Sequence, residues 1–259
     1  MLMKKHWIIL LGIAMLLIAF GSLGFPGIFQ LSSVEQADLN IERADDEIKE
    51  AAQFVQSLNQ ITSGVDKIIE SIDQMIEDAN TSIEVVDLAA AVFLVGSADR
   101  VIEGLDHVVE GADHLIESID SLVEEADGHV EASIQAVQDA ISSASASQSS
   151  ALNDALTALE SADAAVESAD QAVEAADAAI EAADAAVENA DTAIETAASA
   201  LETLDADAAD MAVESADRDV EAADKAIEDA VAAISAAIAA IAQAAEAVET
   251  ADMAVESAL

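Results

Sequence analysis

A seven-residue period governs this chain from residue 34 onward. Val34, Ile41, Ile48, Val55, Thr62, Ile69, Ile76, Ile83 and Ala90 recur in one position, here called a. Ala37, Ala44, Ala51, Leu58, Val65, Ile72, Ala79 and Val86 occupy d. A repeat sustained this long specifies a coiled-coil or bundle helix rather than a short globular one. A second stretch places Ile102, Val109, Ile116, Val123 and Val130 at a, then slips by four at Ile134 and Ile141. In the third, Leu152, Leu159, Val166, Val173, Ile180, Val187, Ile194 and Leu201 hold the position. The fourth uses Val213, Val220, Ile227, Ile234, Ile241, Val248 and Val255.

The frame jumps by twelve residues between the first and second stretches, and again between the third and fourth. Twelve residues do not return to the same face of a helix with about 3.6 residues per turn, so each junction reverses the chain or rotates its seam. Residues 91–97, with Gly96, and 205–210 read as turns, and the Ser-rich 142–150 as a turn or hinge. The expected layout is a membrane segment over 1–30, helices over 31–95 and 97–141, a linker over 142–150, a helix over 151–204, an acidic junction over 205–210 and a helix over 211–259. The expected fold is all-α: an elongated antiparallel bundle or coiled coil of helices about 70–90 Å long. A single rod or a parallel oligomer is the competing arrangement.

Acidic residues follow the same period. In the third stretch Ala fills d and g, Asp fills e and Glu fills b. Asp163, Glu167, Asp170, Glu174, Asp177, Glu181, Asp184, Glu188, Asp191 and Glu195 therefore form a ridge beside the apolar stripe, at spacings of four and three. Like charges so placed destabilise a helix slightly. Similar ridges run from Asp99 to Asp120 and from Glu214 to Glu228. With 53 carboxylates against 8 Lys and Arg, and no Lys or Arg between Val101 and Asp217, nothing basic relieves the ridge of the third stretch. The net charge of −45 excludes a nucleic-acid binder, which needs the opposite sign. Two readings follow: a solvated, anti-aggregation face, or a multivalent, individually weak binder of hard cations (Ca²⁺, Mg²⁺, Mn²⁺, also iron) or of a mineral surface. A basic protein is a third partner that the ridge would suit.

Chemistry of other kinds has little support. His107 and His114 share position f, interleaved with Glu103, Glu110 and Glu117, so His107, Glu110 and His114 form a candidate transition-metal set on an outward stripe. His129, at g, reads as a helix-interface residue. No nucleophile elbow, phosphate loop or zinc-protease helix occurs, and beyond residue 30 the only aromatics are Phe54 and Phe93. Neither an enzyme nor a required cofactor is expected; at most, divalent cations are weakly bound. The Ala230 to Ala242 segment is apolar nearly all round and reads as the most buried part of the last helix or a self-association surface, rather than as a second membrane span. Leu88 to Val95 reads as a buried junction.

Lys4 and Lys5 precede an apolar run from Ile8 to Phe20 that continues to Phe29. Trp7 to Phe29 is long enough to anchor the chain in a bilayer; a signal peptide cleaved after Gly21 is the alternative. Either way the positive end stays inside, so the acidic helices are expected outside the cytoplasm or in an organelle lumen, and secreted if the leader is cleaved. Without cysteine, these helices must be held by packing and helix propensity rather than by disulfides. In joining a membrane segment to an acidic, Ala-rich coiled coil, the chain resembles organelle- or mineral-associated bacterial scaffold proteins, including magnetosome-associated ones. The likeness lies in composition and period and implies a scaffolding or biomineralisation role. The expected function is a tethered spacer or scaffold that self-associates or binds other helical proteins, with the cation- or mineral-binding ridge as the alternative. Its seam is formed by Ile69, Ile76, Ile102, Val109, Ile116, Val166, Val173, Ile180, Val187, Ile194, Val220, Ile227, Ile234 and Ile241.

Overall fold

The computed structural model describes residues 32–258 apart from 86, 145–148 and 204–205. The membrane segment expected over 1–30 lies outside the described residues, as do the Ser145 to Gln148 part of the hinge, Leu204 and Asp205. Four long helices make up the described chain: α1 (Ser33–Glu84), α2 (Leu88–Ser143), α3 (Ser149–Glu202) and α4 (Ala206–Glu256). At 1.5 Å per residue they are about 75–85 Å long. Each packs against two neighbours, in the cyclic order α1, α2, α3, α4. Asp252, near the end of α4, faces Asp38, Glu42 and Asp45 at the start of α1, and Asp191 of α3 faces Asp99 of α2. The bundle is therefore antiparallel and up-down-up-down.

Its core is the a and d stripe. All fourteen seam residues named above are buried, none more than 3% exposed. Leu at a few sites and branched residues at a fill the centre, while Ala at d admits close backbone approach. Position g then separates two kinds of interface. Between α1 and α2, large g residues such as Phe54, Ile61, Leu115 and Leu122 pack against the core. Between α3 and α4 the corresponding residues are Ala165, Ala172, Ala179, Ala233 and Ala240, and this pair makes the most extensive backbone contact in the bundle. Two hairpins result, one thick and one thin.

Local signals place the helix ends. Ser32 caps α1: the Glu35 amide donates to its Oγ at 3.2 Å, and the Ser32 amide donates to Glu35 Oε2 at 2.7 Å. This reciprocal pair satisfies two otherwise unpaired donors. Asp87 caps α2, accepting from the Ala90 amide at 3.2 Å. The first reversal therefore lies at 85–87, and residues 91–97 are helical, as are 206–210. The frame shift belongs between Ile83 and Val95 rather than between Ala90 and Ile102. Helix α2 is wholly apolar from Leu88 to Val95, so either frame fits there.

Two further expectations change. The heptad frame of α2 does not slip at Ile134: Ser133, Val137 and Ala140 are buried, while Ile134 and Ile141 are only half-buried. Ser133 continues the d stripe because its hydroxyl donates to the Ala37 carbonyl of α1 at 3.1 Å and to its own His129 carbonyl at 2.9 Å. Leu88 to Val95 is not a buried junction, since Phe93 is 71% and Val92 47% exposed; Val85, at the C-cap of α1, is 68% exposed. Nor is Ala230 to Ala242 more buried than its surroundings: Ala232, Ala236, Ala239 and Ala242 face outward. Although that segment is short, α4 as a whole is long and apolar enough to cross a membrane by length and composition. In the bundle its a and d residues are packed inside.

Candidate functional site

On each helix, e lies on the flank opposite g. Because neighbouring helices run antiparallel and pair g to g within a hairpin, the hairpins meet e to e. The acidic ridge of α3 therefore faces the acidic ridge of α2. Asp127 meets Asp163, Asp120 meets Asp170, Asp113 meets Asp177, Asp106 meets Asp184 and Asp99 meets Asp191. The Glu residues at b, such as Glu167, Glu174, Glu181, Glu188 and Glu195, stand exposed along the rim. All ten residues of the sequence-derived ridge thus line one groove.

These aspartates are half-buried between the helices. Burial pushes the carboxyls of Asp120, Asp127, Asp177, Asp184 and Asp191 above the ordinary aspartate range, and neighbouring and facing carboxylates push them further. One oxygen each of Asp127, Asp184 and Asp191 is shut off from solvent without a hydrogen-bond partner. Arg100 lines the groove at one end, beside Asp106, Glu188 and Asp191.

The α1–α4 groove repeats this pattern only at its ends. Asp38 faces Asp252, whose carboxyl burial and neighbouring acids raise to about 6. Near the other end, Asp73 faces Asp217 and Asp224, and its carboxyl is raised in the same way. In between, α4 carries neutral e residues, Val231, Ile238 and Ala245, and α1 is neutral at Ala52 and Asn59 but keeps Asp45 and Asp66.

The histidines divide differently from the sequence-derived set. His107, Glu110 and His114 do not form one cluster. The ligand atoms of Asp106, His107 and Glu110 lie within 4.8 Å of one another, and those of Asp113, His114 and Glu117 do the same. His107 Nδ1 is 3.3 Å from Glu110 Oε2, and His114 Nδ1 is 3.3 Å from Glu117 Oε2. Sequence reading missed the two aspartates, although each directly precedes its histidine. His129 is an interface residue, its Nε2 3.3 Å from Glu47 Oε1 of α1.

No protein-family model matches the chain, and no curated protein matches it.

Proposed function

We propose that the chain is a membrane-tethered, exported four-helix stalk that acts as a spacer or scaffold. The observation that supports this reading most is the consumption of the whole heptad seam within one chain. The a and d residues of all four helices bury one another, so an elongated body forms without needing a partner strand. Helix α1 begins directly after the leader, and the 85–87 turn lies about 80 Å away at the far end. The absence of cysteine permits a direct test. Ser168→Cys, on an exposed position of α3, is labelled by an impermeant maleimide added to intact cells if the stalk is exported. Labelling only after lysis overturns the topology. A mass of several chains per particle in detergent would replace the self-contained stalk with an assembly.

The facing ridges favour a second reading, multivalent binding of hard cations or a mineral surface along the α2–α3 groove. Oxygen-only donors suit Ca²⁺, Mg²⁺ and Mn²⁺. A gain in thermal stability with Ca²⁺ beyond that produced by NaCl of matched ionic strength supports it. Equal gains reduce the groove to screened charge.

A further inference from the structure

The heptad Gly-x-Asp-His-x-x-Glu occurs twice in succession on α2, as Gly104 to Glu110 and as Gly111 to Glu117. The flanking heptads, Ser97 to Glu103 and Ser118 to Glu124, keep the Asp and the Glu. They carry Ser in place of Gly, and Arg100 or Ser121 in place of His. Imidazole and glycine therefore come together. Residues three apart on a helix share a face, so the residue three before each histidine lies one turn back on the same outward stripe. Those residues are Gly104 and Gly111, and a Cβ built on either meets nothing within 4 Å. Neither a turn nor a close helix approach accounts for them, and glycine weakens a helix relative to Ala.

The geometry is the same in both copies. Each histidine Nδ1 stands 3.3 Å from the Glu oxygen three residues on, and the preceding Asp completes a triad of ligand atoms within 4.8 Å. The imidazoles are 79% and 80% exposed, so an ion reaches them without displacing packed atoms. Helix α3 extends the donor set: Glu181 and Asp184 share a hollow with Glu110, Asp113 and His114. One imidazole with two or more carboxylates matches the mixed nitrogen and oxygen ligation of zinc-type ions, whereas Ca²⁺ and Mg²⁺ take oxygen alone.

We infer that Asp106–His107–Glu110 and Asp113–His114–Glu117 are two separate sites for a divalent transition-metal ion of the zinc type, one per heptad and about 10.5 Å apart along α2. The inference goes beyond the spacer reading and holds or fails without it. It also differs from the hard-cation reading by requiring imidazole and a fixed stoichiometry.

Zn²⁺ titrated calorimetrically into the full-length chain in detergent, with Mg²⁺ in large excess to occupy the carboxylates, is expected to fill two strong sites. His107→Gln and His114→Gln each leave one strong site, and the double variant leaves none. Helix content and melting temperature stay unchanged, because both side chains are exposed. His6→Gln and His129→Gln retain two. Bound Cu²⁺ examined by electron paramagnetic resonance shows nitrogen coupling from one imidazole per ion. Undiminished Zn²⁺ binding by the double variant, a single ion shared between His107 and His114, or loss of a site in the His6 or His129 variant overturns the assignment.

Discussion

Glu47 and His129 meet across the α1–α2 seam, with Oε1 and Nε2 3.3 Å apart and both side chains partly buried. Both occupy g, and the antiparallel register that joins them places Phe54 opposite Leu122 and Ile61 opposite Leu115 in the following heptads. Burial raises the Glu47 carboxyl above its ordinary value, and the His129 charge opposes that rise. A polar pair thus stands where neighbouring heptads place apolar contact. His129→Leu alone is expected to destabilise the bundle by about 1 kcal/mol, because it strands a half-buried carboxylate. Adding Glu47→Ile should recover that loss and exceed native stability by about 1 kcal/mol. Urea denaturation of the native protein and the two variants checks this; a His129→Leu variant more stable than native would show that the pair contributes nothing.

Acid should stabilise this protein over the carboxylate range. The folded-state carboxyls of Asp73, Asp120, Asp127, Asp177, Asp184 and Asp191 are raised above ordinary values, and that of Asp252 reaches about 6. In this range the folded state binds more protons than the unfolded one, so unfolding free energy rises as pH falls. The gain begins as pH drops through the folded values and is complete below the unfolded value, near pH 4. Melting temperatures at pH about 7.5 and about 5 compare the two regimes. A lower melting temperature at the acidic point, in clear solution, contradicts the facing-ridge geometry.

Relieving one rung should have a measurable effect. Asp170→Lys places an ammonium opposite Asp120, converting repulsion to attraction across α2 and α3. An increase of up to about 1 kcal/mol in stability is expected at low salt, with a shallower dependence of melting temperature on NaCl than the native chain shows. If the variant melts below native at low salt, the two aspartates are not coupled.

Gly104→Ala and Gly111→Ala should each stabilise α2 by about 0.5–1 kcal/mol, since no atom lies where the new Cβ would go. The positions are one heptad apart and share no described partner, so their effects should add. Chemical denaturation of the single and double variants measures this. A loss of stability in either would reveal a contact made through the glycine backbone.

Apart from the two ends of α2, the inward faces of the helices could be read from the heptad period, because burial of a and d follows from 3.6-residue geometry alone. Which helix lies beside which could not. The period assigned Asp163 to Glu195 to a flank, and only the antiparallel e-to-e meeting turned that flank into half of a groove. The first turn was misplaced where Leu88 to Val95 offers no polar residue to mark the frame. The capping pattern at Asp87 carried the missing signal, as Ser32 and Glu35 did for α1. Ser133 hid the continuation of the d stripe, because its buried hydroxyl finds carbonyl partners that composition does not reveal. The pairing of each histidine with its own Asp was written in the local spacing, whereas the two-helix hollow around His114 required the fold.

Four antiparallel passes bring the start of α1 and the end of α4 to the same end of the bundle, where Asp38 stands opposite Asp252. Probes attached at these two places would report one neighbourhood and would be nearly blind to the length of the molecule. The 85–87 turn is the far mark on this ruler. A tag inserted there would ride about 80 Å from either one, and stretching or shortening the four helices by matched heptads would move it in steps of about 10.5 Å.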